Sequence, residues 1–355
     1  MSTTRLYHSW FRQIEQIWAH LRLTQRRNMT YLLIGLYLSK SVLLNQIALK
    51  IPGPAVELSV QRRLSRFLDN PAIRVRPCYD PLITPLLTQL SLNGVVRLLV
   101  DGSKVGAGHQ LLMVSVAYRR RAIPVAWTWV KGVRGHSSAW VQNALLAHVQ
   151  ALLPPGAQVL LVGDSEFGAV EVLRQVEKWH WQYVLRQKAS HLLQLPGQEW
   201  QAFGSVLQKA GHSRWLGQGL LTQAHAYPTQ LLAHWARREK QPWLLATNLP
   251  TQEAALKAYR VRMWIEEMFG DLKGHGFDLE STHLRHFLKL SRLTLAVVLL
   301  YFWLVAFGAH IIKVGLRRLV DRNDRRDLSI FQIGLRSLER RLTNDQPILL
   351  SFRFY

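Results

Sequence analysis

Residues 259–273 read Tyr-Arg-Val-Arg-Met-Trp-Ile-Glu-Glu-Met-Phe-Gly-Asp-Leu-Lys. Tyr259, Arg262, Glu266 and Lys273 stand at offsets 0, 3, 7 and 14 along it. At about 100° per residue an α-helix turns those offsets to roughly 0°, 300°, 340° and 320°, one wedge about 60° wide. Val261, Ile265, Met268 and Leu272 fall on the far side, at roughly 180–240°. The stretch predicts an amphipathic helix whose polar stripe carries an acid, a phenol and two permanent cations. A carboxylate can hold a divalent metal, and flanking Arg and Lys can hold phosphate. The plainer reading is a surface helix in which Arg262 and Glu266 form an ordinary i,i+4 pair.

The order Y-x-x-R-x-x-x-E-x-x-x-x-x-x-K resembles the C-terminal signature of insertion-sequence transposases of the "IS-four" type, within the DDE superfamily. The resemblance implies a ribonuclease-H-like core on which two Asp and one Glu hold two Mg²⁺ (or Mn²⁺) ions. It implies that Glu266 is the third acid and that two aspartates lie upstream, each at a strand end. It also implies that Tyr259, Arg262 and Lys273 grip a DNA phosphate near the cut end.

Both aspartates are present. The apolar run Val95–Val100 ends in Asp101, and Val159–Val162 runs into Gly163-Asp164. Two more strand-like runs, 111–118 and 123–130, follow Asp101 with short connections, which predicts an antiparallel meander. A helix over 137–153, the strand 159–162, a helix over 169–180 and a strand over 181–186 complete the order β-β-β-α-β-α-β. That order comes from patterning; the name ribonuclease-H-like comes from the resemblance. Asp101 also reads as a turn residue in Asp-Gly, and Asp164 as a helix N-cap. Glu166 is a rival to Asp164, kept as an outer-shell candidate.

Around this core, 1–92 reads as a helical domain with basic faces suited to DNA, with Pro71, Pro77, Pro81 and Pro85 marking a linker region. The segment Gln61-Arg62-Arg63-Leu64-Ser65-Arg66-Phe67-Leu68 is similar to one found before the first catalytic Asp in this transposase family. Residues 93–188 form the first part of the core. Residues 189–243, rich in Gly and holding Trp200, Trp215, Trp235 and Trp243, read as a β-rich insertion; their tryptophans fit its core better than base stacking. Residues 244–342 return to the core with C-terminal helices, and 343–355 form a tail. The fold class expected is α/β: a ribonuclease-H-like mixed sheet with an N-terminal helical domain and a β-rich insertion.

Composition narrows the function. The net charge of +23 and pI near 10.8 call for a polyanionic partner, nucleic acid first and an anionic membrane second. The single Cys78 excludes a disulfide framework and a cysteine-rich zinc site. Leu293–Ala309 is apolar but for Thr294, short of the ~20 residues a spanning helix needs; the expectation is a helix buried behind the sheet. No secretory leader is expected, so the chain is placed in the cytoplasm, nucleoid-associated. The expected partners are double-stranded DNA, as terminal inverted repeats and target, and a second copy of the chain. The expected activity is cut-and-paste transposition by two-metal-ion phosphoryl transfer. The alternatives are a non-cutting DNA-binding relative, a ribonuclease-H-like nuclease, and a basic membrane-anchored protein.

Overall fold

The computed structural model describes residues 2–106, 108–132 and 137–348. Its chain forms two compact units: Met1–Leu86 with Val105–His109 and Met268–Tyr355, and Leu87–Lys104 with Gln110–Glu267.

Five helices open the chain: α1 (Ser2–Ile17), α2 (Leu23–Ser39), α3 (Leu44–Ala48), α4 (Glu57–Asp69) and α5 (Val75–Leu92). The last of these corrects the expected linker, because Pro81 and Pro85 lie inside it. An interior proline normally breaks a helix by removing an N–H and crowding the carbonyl four residues back. Here Pro77, Pro81 and Pro85 recur every fourth residue and all are exposed, while Cys78, Tyr79, Ile83 and Leu87 are buried. The disrupted hydrogen bonds therefore line one solvated face. Thr84 also donates its hydroxyl to the Asp80 carbonyl at 2.8 Å.

The sheet follows: β1 (Val96–Val105), β2 (His109–Tyr118), β3 (Arg121–Lys131), helix α6 (Ala139–Leu152), β4 (Val159–Gly163), helix α7 (Val170–Lys178) and β5 (Gln182–Arg186). The strands order as β3-β2-β1-β4-β5, and β1, β4 and β5 run parallel. That is the mixed sheet expected of a ribonuclease-H-like core. The whole of β4, Val-Leu-Leu-Val-Gly, is buried, as a strand covered on both faces must be. The two-residue turn between β2 and β3 is unusual. Arg119 and Arg120 have φ of 44° and 67°, and a side chain in that region costs about 1–2 kcal/mol per residue.

The stretch expected as an insertion is strand-rich but does not stand apart. Strands β6 (Leu192–Gln194), β7 (Gln201–Ala202), β8 (His212–Leu221) and β9 (Tyr227–Trp235) lead to β10 (Trp243–Thr247). β10 pairs antiparallel with both β5 and β9, so one ten-stranded sheet continues as β5-β10-β9-β8-β6-β7.

After β10 come α8 (Gln252–Arg260), α9 (Met263–Leu272), α10 (Phe287–Lys313) and α11 (Ile330–Thr343). Among the described residues α10 is the one helix long and apolar enough to cross a membrane, and 89% of its apolar window is buried within the chain. Its packing partners are α2, α4 and α11, so a helix apolar on all sides finds apolar neighbours on all sides. It meets α11 backbone to backbone: a Cβ on Gly308 would lie 2.0 Å from the Ile330 carbonyl oxygen, and one on Gly334 would lie 2.0 Å from that of Leu304.

Candidate active site

Register alone brings the aspartates together. Val100 pairs with Gly163 at the end of the parallel β1–β4 ladder, so Asp101 and Asp164 are the next residues on adjacent strands. Leu185 pairs with Gly163 from the other side, which puts Arg186 in the same row. Asp101 does not end its strand, as β1 continues to Val105; it is the first residue past the pairing with β4. Sequence patterning missed Arg186, although the polar residue closing the run Tyr183-Val184-Leu185 was the available signal.

The helix expected over 259–273 is two helices. The chain turns at Val261–Arg262 between α8 and α9, with Arg262 N–H donating to the Tyr259 carbonyl at 3.0 Å and Ile265 N–H to that of Arg262 at 3.1 Å. Those three-residue closures tighten the backbone and carry Arg262 inward to 8% exposure, with Tyr259 at 2%. The apolar side of the predicted wheel holds: Ile265, Met268 and Leu272 are buried, and Val261 is half-buried.

Arg262 sits among the acids. Its Nη1 lies 2.7 Å from Glu266 Oε1 and 3.6 Å from Asp101 Oδ2. Asp101 is 2% exposed, and its Oδ1 accepts from the Gly102 N–H at 2.7 Å. Asp164 Oδ1 lies 3.8 Å from Arg186 Nη1 and has no hydrogen-bond partner, although it is buried. Burial by itself would lower the Arg262 pKa, but the Tyr259 phenol, Glu266, Asp164 and Asp101 together raise it above its ordinary value. Burial likewise drives the Tyr259 phenol well above its ordinary value, so it stays protonated and able to donate. Trp243 meets the Tyr259 ring edge-on, centroids 4.9 Å apart, and the Arg262 guanidinium stands over it at 5.6 Å.

Glu166 has a different task from the one weighed for it. One carboxylate oxygen accepts from Gln110 Nε2 at 2.7 Å. The other accepts the Ser137 N–H at 3.0 Å and the Ser137 hydroxyl at 2.5 Å. Gln142 Nε2 adds a bond to the Glu166 carbonyl at 2.9 Å. Glu166 thus ties β2 and the start of α6 to the turn after Asp164. A Cβ on Gly102 would lie 2.2 Å from Gln110 Nε2 and 2.7 Å from Glu166 Oε2. The glycine beside Asp101 makes room for that bond, so Asp-Gly here marks a close approach inside a strand where a turn was the plain reading. Asp164 makes no side-chain capping bond either.

Lys273 belongs to the other unit, where its ammonium pairs with the Glu280 carboxylate. The structure brings together Asp101, Asp164, Glu266, Tyr259 and Arg262 within one unit.

The donor set tests the expected ions. Asp101, Asp164 and Glu266 offer carboxylate oxygens, the ligands hard divalent cations take. No cluster of three His, Cys, Asp or Glu side chains among the described residues is close enough to hold an ion as they stand; a guanidinium supplies the positive charge between Asp101 and Glu266. Orphaned polar atoms gather here too: Asp164 Oδ1, Tyr259 Oη, and Arg262 Nε and Nη1 are buried without hydrogen-bond partners. Buried polar groups are normally satisfied, so this grouping fits a site built for charged ligands.

Residues 99–303 match the family described as transposase DDE domain. No curated protein matches the chain in sequence. Among solved structures, the chain is similar to a piggyBac transposase in a synaptic complex with hairpin DNA, at 11% identity, 97% of this chain, 77% of that one and a TM-score of 0.40. It is also similar to Marinitoga piezophila Argonaute in complex with 5′-OH guide RNA and target DNA, at 6% identity, 70% of this chain, 37% of that one and a TM-score of 0.26.

Proposed function

The chain belongs to the transposase DDE domain family, and from that premise we propose that it cuts DNA at the ends of its own element and joins those ends to target DNA. The observation that carries the reading is the convergence of Asp101, Asp164 and Glu266 around one buried guanidinium, with unfilled donors and acceptors beside it.

Asp101, Asp164 and Glu266 would hold two Mg²⁺ (or Mn²⁺). Bound there, the ions supply an activated hydroxyl for attack on the phosphodiester and charge stabilisation for the departing 3′-oxygen. The protein's part is to hold three carboxylates together against their mutual repulsion. Arg262 does that for Asp101 and Glu266, and Arg186 faces Asp164. Arg262 also has the planar fork to bind a phosphate bidentately, and Tyr259 a phenol kept protonated by burial. By the resemblance, Lys273 would join them as a point charge. The sequence spacing of Tyr259, Arg262, Glu266 and Lys273 supports assignment to the "IS-four" type. Two ends must be cut in concert, which calls for two copies of the chain on DNA. The net charge of +23 suits backbone tracking and predicts affinity that falls steeply with salt.

The test is to incubate purified protein with the DNA flanking its gene, with Mg²⁺ or Mn²⁺, and to look for end cleavage and strand-transfer products. Glu266→Gln should lower cleavage on the order of 10³-fold while binding is kept. Full activity in that variant removes Glu266 from the mechanism. Cleavage without any joined product reduces the enzyme to a nuclease.

A further inference from the structure

The row of acids continues across the sheet toward a turn whose charge the fold does not use. Leu185 pairs with Gly163 and Arg186 with Leu245, so Leu245 of β10 lies in the row of Asp101, Asp164 and Arg186. Trp243, two residues outward of that row, opens β10, and Trp235 closes β9. The β9–β10 turn, residues 236–242, therefore projects from the end of the sheet that carries the acids. It reads Ala-Arg-Arg-Glu-Lys-Gln-Pro, three cations to one acid.

The turn is held in place by its backbone. The Glu239 N–H donates to the Ala236 carbonyl at 3.1 Å, and Trp235 Nε1 donates to the Glu239 carbonyl at 2.9 Å. Arg186 Nη2 donates to the Pro242 carbonyl at 3.0 Å, while its Nη1 lies 3.8 Å from Asp164 Oδ1. One guanidinium thus joins the second aspartate to the turn. Arg237, Arg238 and Lys240 are exposed, and among the described residues their side chains make no hydrogen bond or ion pair, with Glu239 or any other. A run of charge is ordinarily a solvated surface; this one is pinned to the residue that faces Asp164.

We infer that Arg237, Arg238 and Lys240 hold the DNA backbone on the Asp164 side of the site, a few nucleotides from the bond that is cut. The inference rests on the reading of the chain as an enzyme acting on DNA. In the order β4-β5-β10-β9, a strand spacing of about 4.8 Å puts β10 and β9 about 10 and 14 Å from β4. For a duplex lying across the strand ends, at about 3.4 Å of rise per nucleotide, that is about three to four nucleotides. A phosphate there gives each cation the anion it lacks, with Arg as a planar fork and Lys as a point charge. Such contacts seat DNA without reading its sequence.

The experiment compares two matched pairs. Arg238→Gln with Lys240→Gln removes one Arg and one Lys from the turn; Arg174→Gln with Lys178→Gln removes one of each from the exposed face of α7. Both variants should melt as wild type does, because the four side chains are exposed. The turn variant should bind the flanking duplex about 3- to 30-fold more weakly near 0.1 M salt, and its plot of log K against log salt should be shallower by about 2. The α7 variant should keep the wild-type slope. An unchanged slope in the turn variant, or an equal loss in the α7 variant, overturns the inference. A wild-type chain that binds this DNA but never cuts it sinks the enzyme reading alone, since the comparison of slopes still decides where the backbone is held.

Discussion

Arg292 and Arg262 are the arginines buried among the described residues, at 5% and 8% exposure, and the chain treats their donors in opposite ways. Arg292 lies on the apolar helix α10 and donates from Nε to the Ile73 carbonyl at 2.9 Å and from Nη1 to that of Leu68 at 2.8 Å. Those carbonyls lie in the last turn of α4 and just beyond it, where a helix has acceptors to fill. Arg262 leaves Nε and Nη1 without hydrogen bonds and leans on carboxylates. Burial pulls the Arg292 pKa down, with Asp69 offsetting part of it; around Arg262 the acids outweigh burial and the pKa rises. A buried cation serving the fold has its donors closed by backbone. One serving a ligand is left open, and its charge is balanced by groups that have other work.

The largest effect on the fold should come from closing that contrast at Arg292. Arg292→Met keeps the length of the side chain but strands two buried carbonyls, a loss of about 3 kcal/mol. Urea unfolding should show it as a lower midpoint, while the salt dependence of DNA binding should not move. A variant within about 1 kcal/mol of wild type would mean that water or neighbours replace the guanidinium, and the contrast between the two arginines would lose one side.

Arg262→Gln sharpens the other side. Removing the guanidinium leaves Asp101 and Glu266 without their shared counter-charge, so the metal-free protein should melt lower. A cation that binds only the folded chain stabilises it in proportion to the logarithm of its concentration over Kd. Mn²⁺ should therefore raise the melting temperature of Arg262→Gln more than that of wild type, where it competes with the arginine. It should do nothing to recover Arg292→Met. Equal Mn²⁺ responses in wild type and Arg262→Gln would show that the guanidinium and the ion do not contend for the same oxygens.

What the sequence disclosed about these two places differs for a physical reason. Alternation and turn chemistry are local, so β1 to β5, the helices between them and both aspartates are legible from composition along the chain. Register is not local: that Asp101, Asp164 and Arg186 share a row depends on which residues of β1, β4 and β5 pair. The helical wheel over 259–273 assumed an unbroken helix, and the turn at Val261–Arg262 is what moves Arg262 among the acids. Prolines 81 and 85 misled because their effect depends on which face meets water. The stretch 189–243 read as strands, but its joining to the sheet depends on β10 lying between β5 and β9. The pairing of Lys273 with Glu280, seven residues on, follows from a loop path that no periodicity encodes.

The smallest effect, and the finest test of the contrast, is Tyr259→Phe. The phenol oxygen is buried without a hydrogen-bond partner, so its deletion removes no bond from the folded chain. The ring keeps its edge-on packing against Trp243 and its place under Arg262. Relieving an unsatisfied buried hydroxyl should leave stability unchanged or higher by up to about 1 kcal/mol. The hydroxyl is worth something only when an acceptor arrives. If that acceptor is a DNA phosphate, its loss should weaken end binding or cleavage about tenfold, the scale of one hydrogen bond to a charged group. Destabilisation by Tyr259→Phe with unchanged DNA binding would assign the hydroxyl to the fold, and the open donors around Arg262 would then need the same explanation as the closed ones around Arg292.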